Sequence, residues 1–426
     1  MQRLDNAGFN KKRELITMVK RLEFTIPPQS LLRQSDTAAV LSVVAQLIAT
    51  AQATTKPSLG LATGLSRSAI DQAVHRLSSM GLIGVTGMST NVGRGRPAEV
   101  LGLRPDAGTV LIADLTPNHV HTAVVDLSRR LLASKRTRFA LANGPEPTMT
   151  AMFAQFQEML GPLGRYGLPI RAIVVSVPGP VDAKRGVPVR PPIMPGWDEF
   201  PLTERVADEF GAPCYADNDV NLMATGEARS LPGDQCPLLF IKVGTGIGGG
   251  LVGAPGEQPA RGADGAAYDI GHIPAPGLHQ EVCTCGNVGC IEAVASAEAI
   301  TVKLRNVLGN QELTRPETER LVHDGDPQAV RVVREAAALL GEVAATLVHV
   351  LNPARIALGG PITRSSDDLL AGIRSVVYQR ALPLATRNLT IAHSVTGELS
   401  VVVGAAAFGI EKILSRDAFS TKSGRF

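Results

Sequence analysis

Apolar residues recur at helical spacing through the first hundred positions and then give way to short β-branched runs, so the chain changes architecture near residue 105. Over Asp36–Ala51, Val40, Val43, Val44 and Leu47 fall on one face of a predicted helix, with Asp36 at its N-cap. A second helix is expected from Lys56 to Ala62. Gly64 then supplies the positive φ of a tight turn, and the Ser66 hydroxyl caps a third helix. In that helix Ile70, Ala73, Val74, Leu77 and Met80 make one apolar stripe, which leaves Ser66, Arg67, Ser68, Gln72 and Arg76 directed outward. Leu82–Val85 and Val100–Leu103 can pair as a ribbon. Three short helices and a ribbon predict a winged helix-turn-helix over residues 35–105.

Beyond Asp106 the predicted strands are Val110–Asp114, His121–Asp126, Ala172–Val177, Cys214–Ala216, Leu238–Val243, Gly249–Val252 and Ile356–Leu358. Helices are expected between them at about Thr148–Leu160, Leu202–Phe210, Ala293–Val307, Ala329–Leu351 and Ser366–Arg380. Strands alternating with helices indicate an α/β body over residues 106–426, long enough for two sheet-bearing halves with a cleft between them.

Charge separates the two parts. Residues 1–105 carry 13 Lys+Arg against 6 Asp+Glu, whereas the remainder carries 29 against 33. A basic N-terminal part suits a polyanion, and a mildly acidic body suits a small ligand. Residues 1–34, with Lys11, Lys12, Arg13, Lys20, Arg21, Pro27 and Pro28, are expected to form a flexible basic extension. Between the ribbon strands stands Gly93-Arg94-Gly95-Arg96-Pro97. Arginines on so lightly substituted a backbone fit a narrow minor groove, so Arg94 and Arg96 join the third helix as candidate DNA contacts. No run of about eighteen apolar residues and no charged-then-apolar leader occurs, and the expectation is a cytoplasmic protein with no membrane partner.

Three of the five cysteines cluster as C-T-C-G-N-V-G-C from Cys283 to Cys290, with His272 eleven residues upstream. One imidazole and three thiolates can close a tetrahedral zinc site, and Gly286 and Gly289 allow the backbone to curl around it. Four protein ligands, His272, Cys283, Cys285 and Cys290, leave no open position, so such a metal is structural.

The motifs G-L-S-R-S at Gly64–Ser68, R-G-R-P at Arg94–Pro97, V-P-G-P-V-D at Val177–Asp182 and N-D-V-N at Asn218–Asn221 occur in a definite order. G-T-G-I-G-G-G at Gly244–Gly250, G-H at Gly271–His272, the cysteine motif and L-G-G at Leu358–Gly360 follow. In this series the chain, from about residue 35 to 410, resembles the ROK family of bacterial repressors, open reading frames and sugar kinases built on the actin-like ATPase fold.

The resemblance implies a two-lobed, sugar-kinase-like body behind the winged helix, assembled as a homodimer or homotetramer. It places Asp219 where the kinases have their base, Asn218 beside it, and further sugar contacts at Asp269, His272 and Glu292. Asp269 stands where glutamate is usual, and Ile193 where family members commonly have asparagine.

The first phosphate loop of the kinases, D-x-G-G-T, is replaced by D-L-T-P-N at Asp114–Asn118. Pro117 offers no amide hydrogen there, so no catalytic residues and no enzyme activity are expected. The glycines of Gly244–Gly250 can cradle phosphate or simply make a tight turn between packed strands. The expected function is a transcriptional regulator, most simply a repressor of carbohydrate-related genes. It binds double-stranded operator DNA and a sugar or sugar-phosphate effector. The rivals are an ATP-dependent sugar kinase with an added DNA-binding domain and an architectural DNA-binding protein whose pocket is vestigial.

Overall fold

The computed structural model describes residues 20–23, 36–89, 97–163 and 168–420. Arg94 and Arg96 and most of the N-terminal extension lie outside them. In the head, α1 (Thr37–Ala49), α2 (Lys56–Thr63) and α3 (Arg67–Ser79) precede a ribbon of β2 (Ile83–Met88) and β3 (Glu99–Leu103). The local chemistry that predicted them is in place. Asp36 accepts from Ala39 N at 3.0 Å, Gly64 has φ +69°, and the Ser66 hydroxyl accepts from Ala69 N at 3.3 Å.

The extension is tied to the body at one point. Lys20–Arg21 form β1 along the edge of the first sheet, and Leu22, only 3% exposed, donates its N–H to Arg129 O at 2.7 Å.

The first lobe contains β4 (Thr109–Thr116), β5 (His119–Asp126), β6 (Arg130–Arg138), α4 (Pro145–Leu163) and β7 (Ile170–Val177). The small β8 (Val181–Asp182) and β9 (Val187–Pro188) pair, and α5 (Leu202–Phe210), β10 (Cys214–Asn218) and α6 (Asp219–Ser230) follow. Its six-stranded sheet has the order β1-β6-β5-β4-β7-β10, with β4, β7 and β10 parallel. One face buries Leu111, Ala113 and Leu115 against Met152 and Phe156 of α4 and Leu202 and Val206 of α5.

The second lobe holds β11 (Leu238–Val243), β12 (Ile247–Val252), α7 (Ile291–Ala295), α8 (Ala297–Leu308), α9 (Arg315–His323) and α10 (Pro327–Leu351). It continues through β13 (Arg355–Gly359), α11 (Pro361–Ser365), α12 (Asp368–Arg380), α13 (Pro383–Thr386) and β14 (Thr390–His393), with sheet order β12-β11-β13-β14. The single helix expected over Ala293–Val307 is two. Ser296 takes an extended ψ of 166° and its side chain caps Ala299 N at 3.1 Å, which ends α7 and starts α8.

The last helices, α14 (Ser400–Ile413) and α15 (Arg416–Ser420), return to the first lobe and the head. Phe408 and Ile410 of α14 share a continuous core with Val110, Ile112 and Val174 of the sheet and with Leu41, Val44 and Ile48 of α1. At the junction the carbonyl of Leu414 accepts from Ser42 Oγ at 2.6 Å and Gln46 Nε2 at 3.2 Å, and Arg416 pairs with Asp36 at 2.6 Å.

Between the lobes, α6 turns Val220 and Ala224 toward Leu238, Phe240 and Val252 of the second sheet and Leu222 toward α14. It meets α14 backbone to backbone: a Cβ on Gly226 would lie 2.8 Å from Gly404 N and from Ser400 O. No described helix is long and apolar enough to cross a membrane.

Candidate functional site

Both sheets direct polar residues into the groove where the lobes face each other. Asp114 lies two residues before the end of β4, and Asp219 opens α6, whose N-terminal turn is capped by Asn218 through Val220 N at 2.9 Å. From the second lobe Lys242 pairs directly with Asp219. Asp114 accepts from Ser176 Oγ at 3.0 Å. Burial, followed by the charge of Asp219, raises the Asp114 pKa from 3.8 to about 6, against the opposing pull of Ser176, Lys242 and Arg136. Asp114, Lys242 and Thr245 all keep partial solvent access.

The strand register extends this pair into a row. Asp217 stands opposite Ser176, Ser176 opposite Asp114, Asp114 opposite His121 and His121 opposite Arg136, so five strands place polar residues side by side. Asp217 is neutralised by Arg261 and by N–H donors from Asn218 N at 2.8 Å and Asn221 Nδ2 at 3.0 Å. The next row joins Thr116, His119 and Arg138.

The D-L-T-P-N segment is a closed hairpin. Thr116 Oγ1 donates to His119 O and accepts from His119 N, both at 3.1 Å. The carbonyls of Pro117 and Asn118 accept from Leu141 N at 3.0 Å and Phe139 N at 2.9 Å. The glycine hairpin opposite turns through Gly244 and Gly246, whose N–H and carbonyl meet at 2.9 Å. Its glycines have packing reasons: a Cβ on Gly248 would stand 2.7 Å from Val220 Cγ2, and one on Gly250 would stand 2.9 Å from Ala224 Cβ.

One rung along that hairpin lies the cysteine corner. Val243 pairs with Ile247, and Ile247 N donates to Glu292 Oε2 at 3.0 Å. The other carboxylate oxygen of Glu292 sits 3.8 Å from Cys283 Sγ. His272 Nδ1 is 3.6 Å from Cys283 Sγ, and Cys285 and Cys290 are 3.7 Å apart. All four donor atoms lie within 4.8 Å of one another. Ligands about 2.0–2.3 Å from a tetrahedral ion stand roughly 3.5–3.8 Å apart, so the dimensions and the donor set fit a metal.

Gly286 and Gly289 have φ of +91° and +74°, which lets the loop fold the thiols inward. Burial raises the Cys283 thiol pKa, and burial with the adjacent thiols pushes Cys290 up to about 12, whereas the Asn287 amide lowers that of Cys285.

The segment 113–412 matches the model of the ROK family. The chain belongs to the ROK family. It is 27% identical over 364 residues to a putative xylose repressor of Caldicellulosiruptor sp., covering 82% of this chain and 90% of that protein. A crystal structure of a ROK family transcriptional regulator described as a homologue of the E. coli Mlc protein superposes with a TM-score of 0.76. That likeness has 22% identity and covers 91% of this chain and 98% of the other. A ROK family glucokinase from Streptomyces griseus, in complex with glucose and AMPPNP, superposes with a TM-score of 0.61 at 25% identity, covering 71% and 99%. The body is thus a mixed α/β, actin-like ATPase-type fold of the ROK kind.

Within this ROK body the expected ligand residues fall into two groups. Asn218 and Asp219 flank the groove, but the Asn218 side chain already caps α6 and donates to Gly179 O at 2.9 Å. His272 and Glu292 belong to the cysteine corner. Asp269 is 47% exposed, 3.8 Å from His272 Nε2 on the side of the ring away from Cys283. In the head, Arg67, with its side chain 98% exposed, stands with Ser66, Ser68 and Gln72 around the start of α3. Arg76, exposed further along α3, also borders a groove with Asp36, Leu41, Arg416 and Phe419.

Sequence reasoning missed Lys242, Asp217, Arg261 and the arginines of β6. One signal was available: a lone lysine inside the apolar strand L-L-F-I-K-V, directly before the glycines.

Proposed function

We propose that the protein is a sugar-responsive transcriptional repressor whose head reads operator DNA and whose ROK body binds a carbohydrate-derived effector. The observation that supports this reading is a division within one groove: Asp219, the carboxylate expected on the sugar side, pairs with Lys242, while the hairpin opposite carries Pro117, which has no amide hydrogen to offer a phosphate. Carboxylates bind sugar hydroxyls whether or not transfer follows. The repressor named among the relatives supports the same reading.

In the head, Ser66, Arg67, Ser68 and Gln72 face the major groove, and Arg94 and Arg96 of the wing enter the minor groove. The Cys/His corner holds one structural zinc ion through His272, Cys283, Cys285 and Cys290. Zinc there supplies a fixed cross-link, so that His272, Glu292 and the tip of the glycine hairpin move as one piece. Effector binding between the lobes shifts α6, then α14, and through Leu414 the head of a homo-oligomer in the cytoplasm.

The test is a gel-shift titration at fixed salt on a site selected from random duplexes. Arg67→Ala with Gln72→Ala, and separately Arg94→Ala with Arg96→Ala, should each weaken binding more than about tenfold. Unchanged affinity in both would remove the head from DNA recognition. The glucokinase likeness favours sugar phosphorylation as a second reading. Steady ADP formation with magnesium, ATP and a sugar, at on the order of 1 per second, would favour that reading instead.

A further inference from the structure

Arg76 stands on the flank of α3. It follows exposed Gln72 by four residues and buried Ala73 by three, so its side chain leaves the helix between the outward face, which carries Ser68 and Gln72, and the packed one. A groove of about 520 Å³ beside that flank is shared by three elements: Thr37, Ala38 and Leu41 of α1, Arg76 of α3, and Arg416 and Phe419 of α15. Arg416 Nη2 pairs with Asp36 Oδ2 at 2.6 Å, yet its side chain is 61% exposed. The guanidinium of Arg76 has no hydrogen bond or ion pair with any described residue. Two guanidinium groups against the single carboxylate of Asp36 leave the groove with a net positive charge.

We propose that this groove holds one backbone phosphate of the DNA whose bases α3 reads, with Arg76 and Arg416 as its ligands, so that the C-terminal helix α15 is part of the DNA interface. This rests on the DNA-binding reading of the head and adds to it a contact from the other end of the chain. A helix about 10–12 Å across nearly fills a major groove about 12 Å wide, so whatever stands beside its flank meets the sugar-phosphate wall and not the base edges. A phosphate diester with two free oxygens suits the forked donors of arginine, and the first turn of α1 adds the positive end of a thirteen-residue helix. Thr37, Arg76, Arg416 and Ser420 are all exposed, which makes the groove too open to hold a small free anion against water. A polyanion already seated on α3 meets that objection, because its other contacts supply the remaining affinity. Asp36 competes with the phosphate for Arg416, so the two members of one ion pair have opposite effects on DNA affinity.

The test is a gel-shift titration of the full-length protein on a duplex selected from a random pool and on a mixed-sequence duplex of the same length, between about 50 and 200 mM salt. Arg76→Gln and Arg416→Gln should each weaken both complexes about three- to tenfold at the low-salt end and reduce the slope of log affinity against log salt by about 0.9, the share of one phosphate. Arg416→Lys should keep the slope. Asp36→Asn, which retains a capping side chain, should tighten both complexes. Arg320→Gln, exposed on the second lobe, should change neither. Weakening by Arg416→Gln and Asp36→Asn alike, with the slope unchanged, would mean that the ion pair only fastens head to tail and would overturn the proposal. An affinity and slope of Arg416→Gln equal to the wild type would overturn it as well. In both cases a loss of binding in Arg67→Ala/Gln72→Ala leaves the head's reading of DNA standing. Binding unaltered in every variant, that one included, would sink the phosphate site and the head reading together.

Discussion

Two hairpins face each other across the groove, β4–β5 closing at Pro117 and Asn118 and β11–β12 closing at Gly244 to Gly246. The first is held by its own threonine hydroxyl and by two amides from the residues after β6. The second is fastened from three sides: α6 presses on Gly248 and Gly250, Glu292 takes Ile247 N, and Arg315 reaches Thr245. The glycines of the second hairpin are therefore explained by neighbours that approach its backbone, with no phosphate required. At Pro117 and Asn118 the neighbours reach the backbone only as hydrogen-bond donors to its carbonyls, and ordinary side chains suffice. Glycine richness in such a loop reports close packing before it reports ligand chemistry.

The largest effect should come from the corner that fastens the second hairpin. Cys285→Ser is expected to lower the metal content below one zinc per chain and to cost on the order of 4 kcal/mol in stability, because it frees Glu292 and with it Ile247. Elemental analysis together with urea unfolding checks this. Full metal content in the variant would detach the corner from the hairpin.

Gly250→Ala probes the contact with α6 and should cost about 2 kcal/mol, since Val220 O and Ala224 Cβ stand 3.0 and 2.9 Å from the added carbon. An unshifted melting temperature would mean that α6 moves aside freely.

At the root of the first hairpin, Asp114 titrates near pH 6 when folded and near 3.8 when unfolded. The folded state then holds a proton that the unfolded chain releases. This contribution to stability is full below about pH 4, falls as pH rises toward 6, and is a penalty above it. Asp114→Asn should therefore stabilise the protein at pH 7.5 by on the order of 1–3 kcal/mol and flatten the melting curve between about pH 4 and 6. A steeper slope in the variant would refute the assignment.

The smallest effect is expected from Pro117→Gly with Asn118→Gly, a loss of about 1 kcal/mol through added freedom of the unfolded chain. ADP production should stay at background. Its appearance would mean that the closed hairpin alone blocks phosphoryl transfer.

Local chemistry was legible in the sequence wherever cause and effect are neighbours. Asp36, Gly64 and Ser66 cap and turn as their types dictate, and the cysteine spacing with Gly286 and Gly289 brings the thiols together. Helix α6 was not legible, because Asp219, Val220, Asn221, Leu222, Ala224, Thr225, Gly226 and Glu227 are all buried, and a helix covered on every side has no polar face to set a period. Helix α14 hid for the same reason. Strand β6 is apolar only over Leu131–Ala133 and then runs Ser134-Lys135-Arg136-Thr137-Arg138, so a search for apolar runs passes over it and over Arg136 and Arg138 with it. The pairing of Lys242 with Asp219 across the groove and the reach of Arg315 to Thr245 within the second lobe join residues far apart in the chain, which no local pattern encodes.

The carbonyl of Leu414, held by Ser42 and Gln46 of the first helix, has a consequence for anyone who wishes to exchange parts. By sequence the natural cut lies after the ribbon, near Arg104, and a head grafted there onto another body would carry two polar side chains into a buried seam built for a different tail. The transplantable unit is the head together with residues 400–420 at the far end of the chain, joined through Arg416 and Asp36 as well as through that carbonyl. Hybrids that move both ends should fold where hybrids that move the head alone do not, and α14, which continues from that seam to Gly226 of α6, would bring the donor's own response with it.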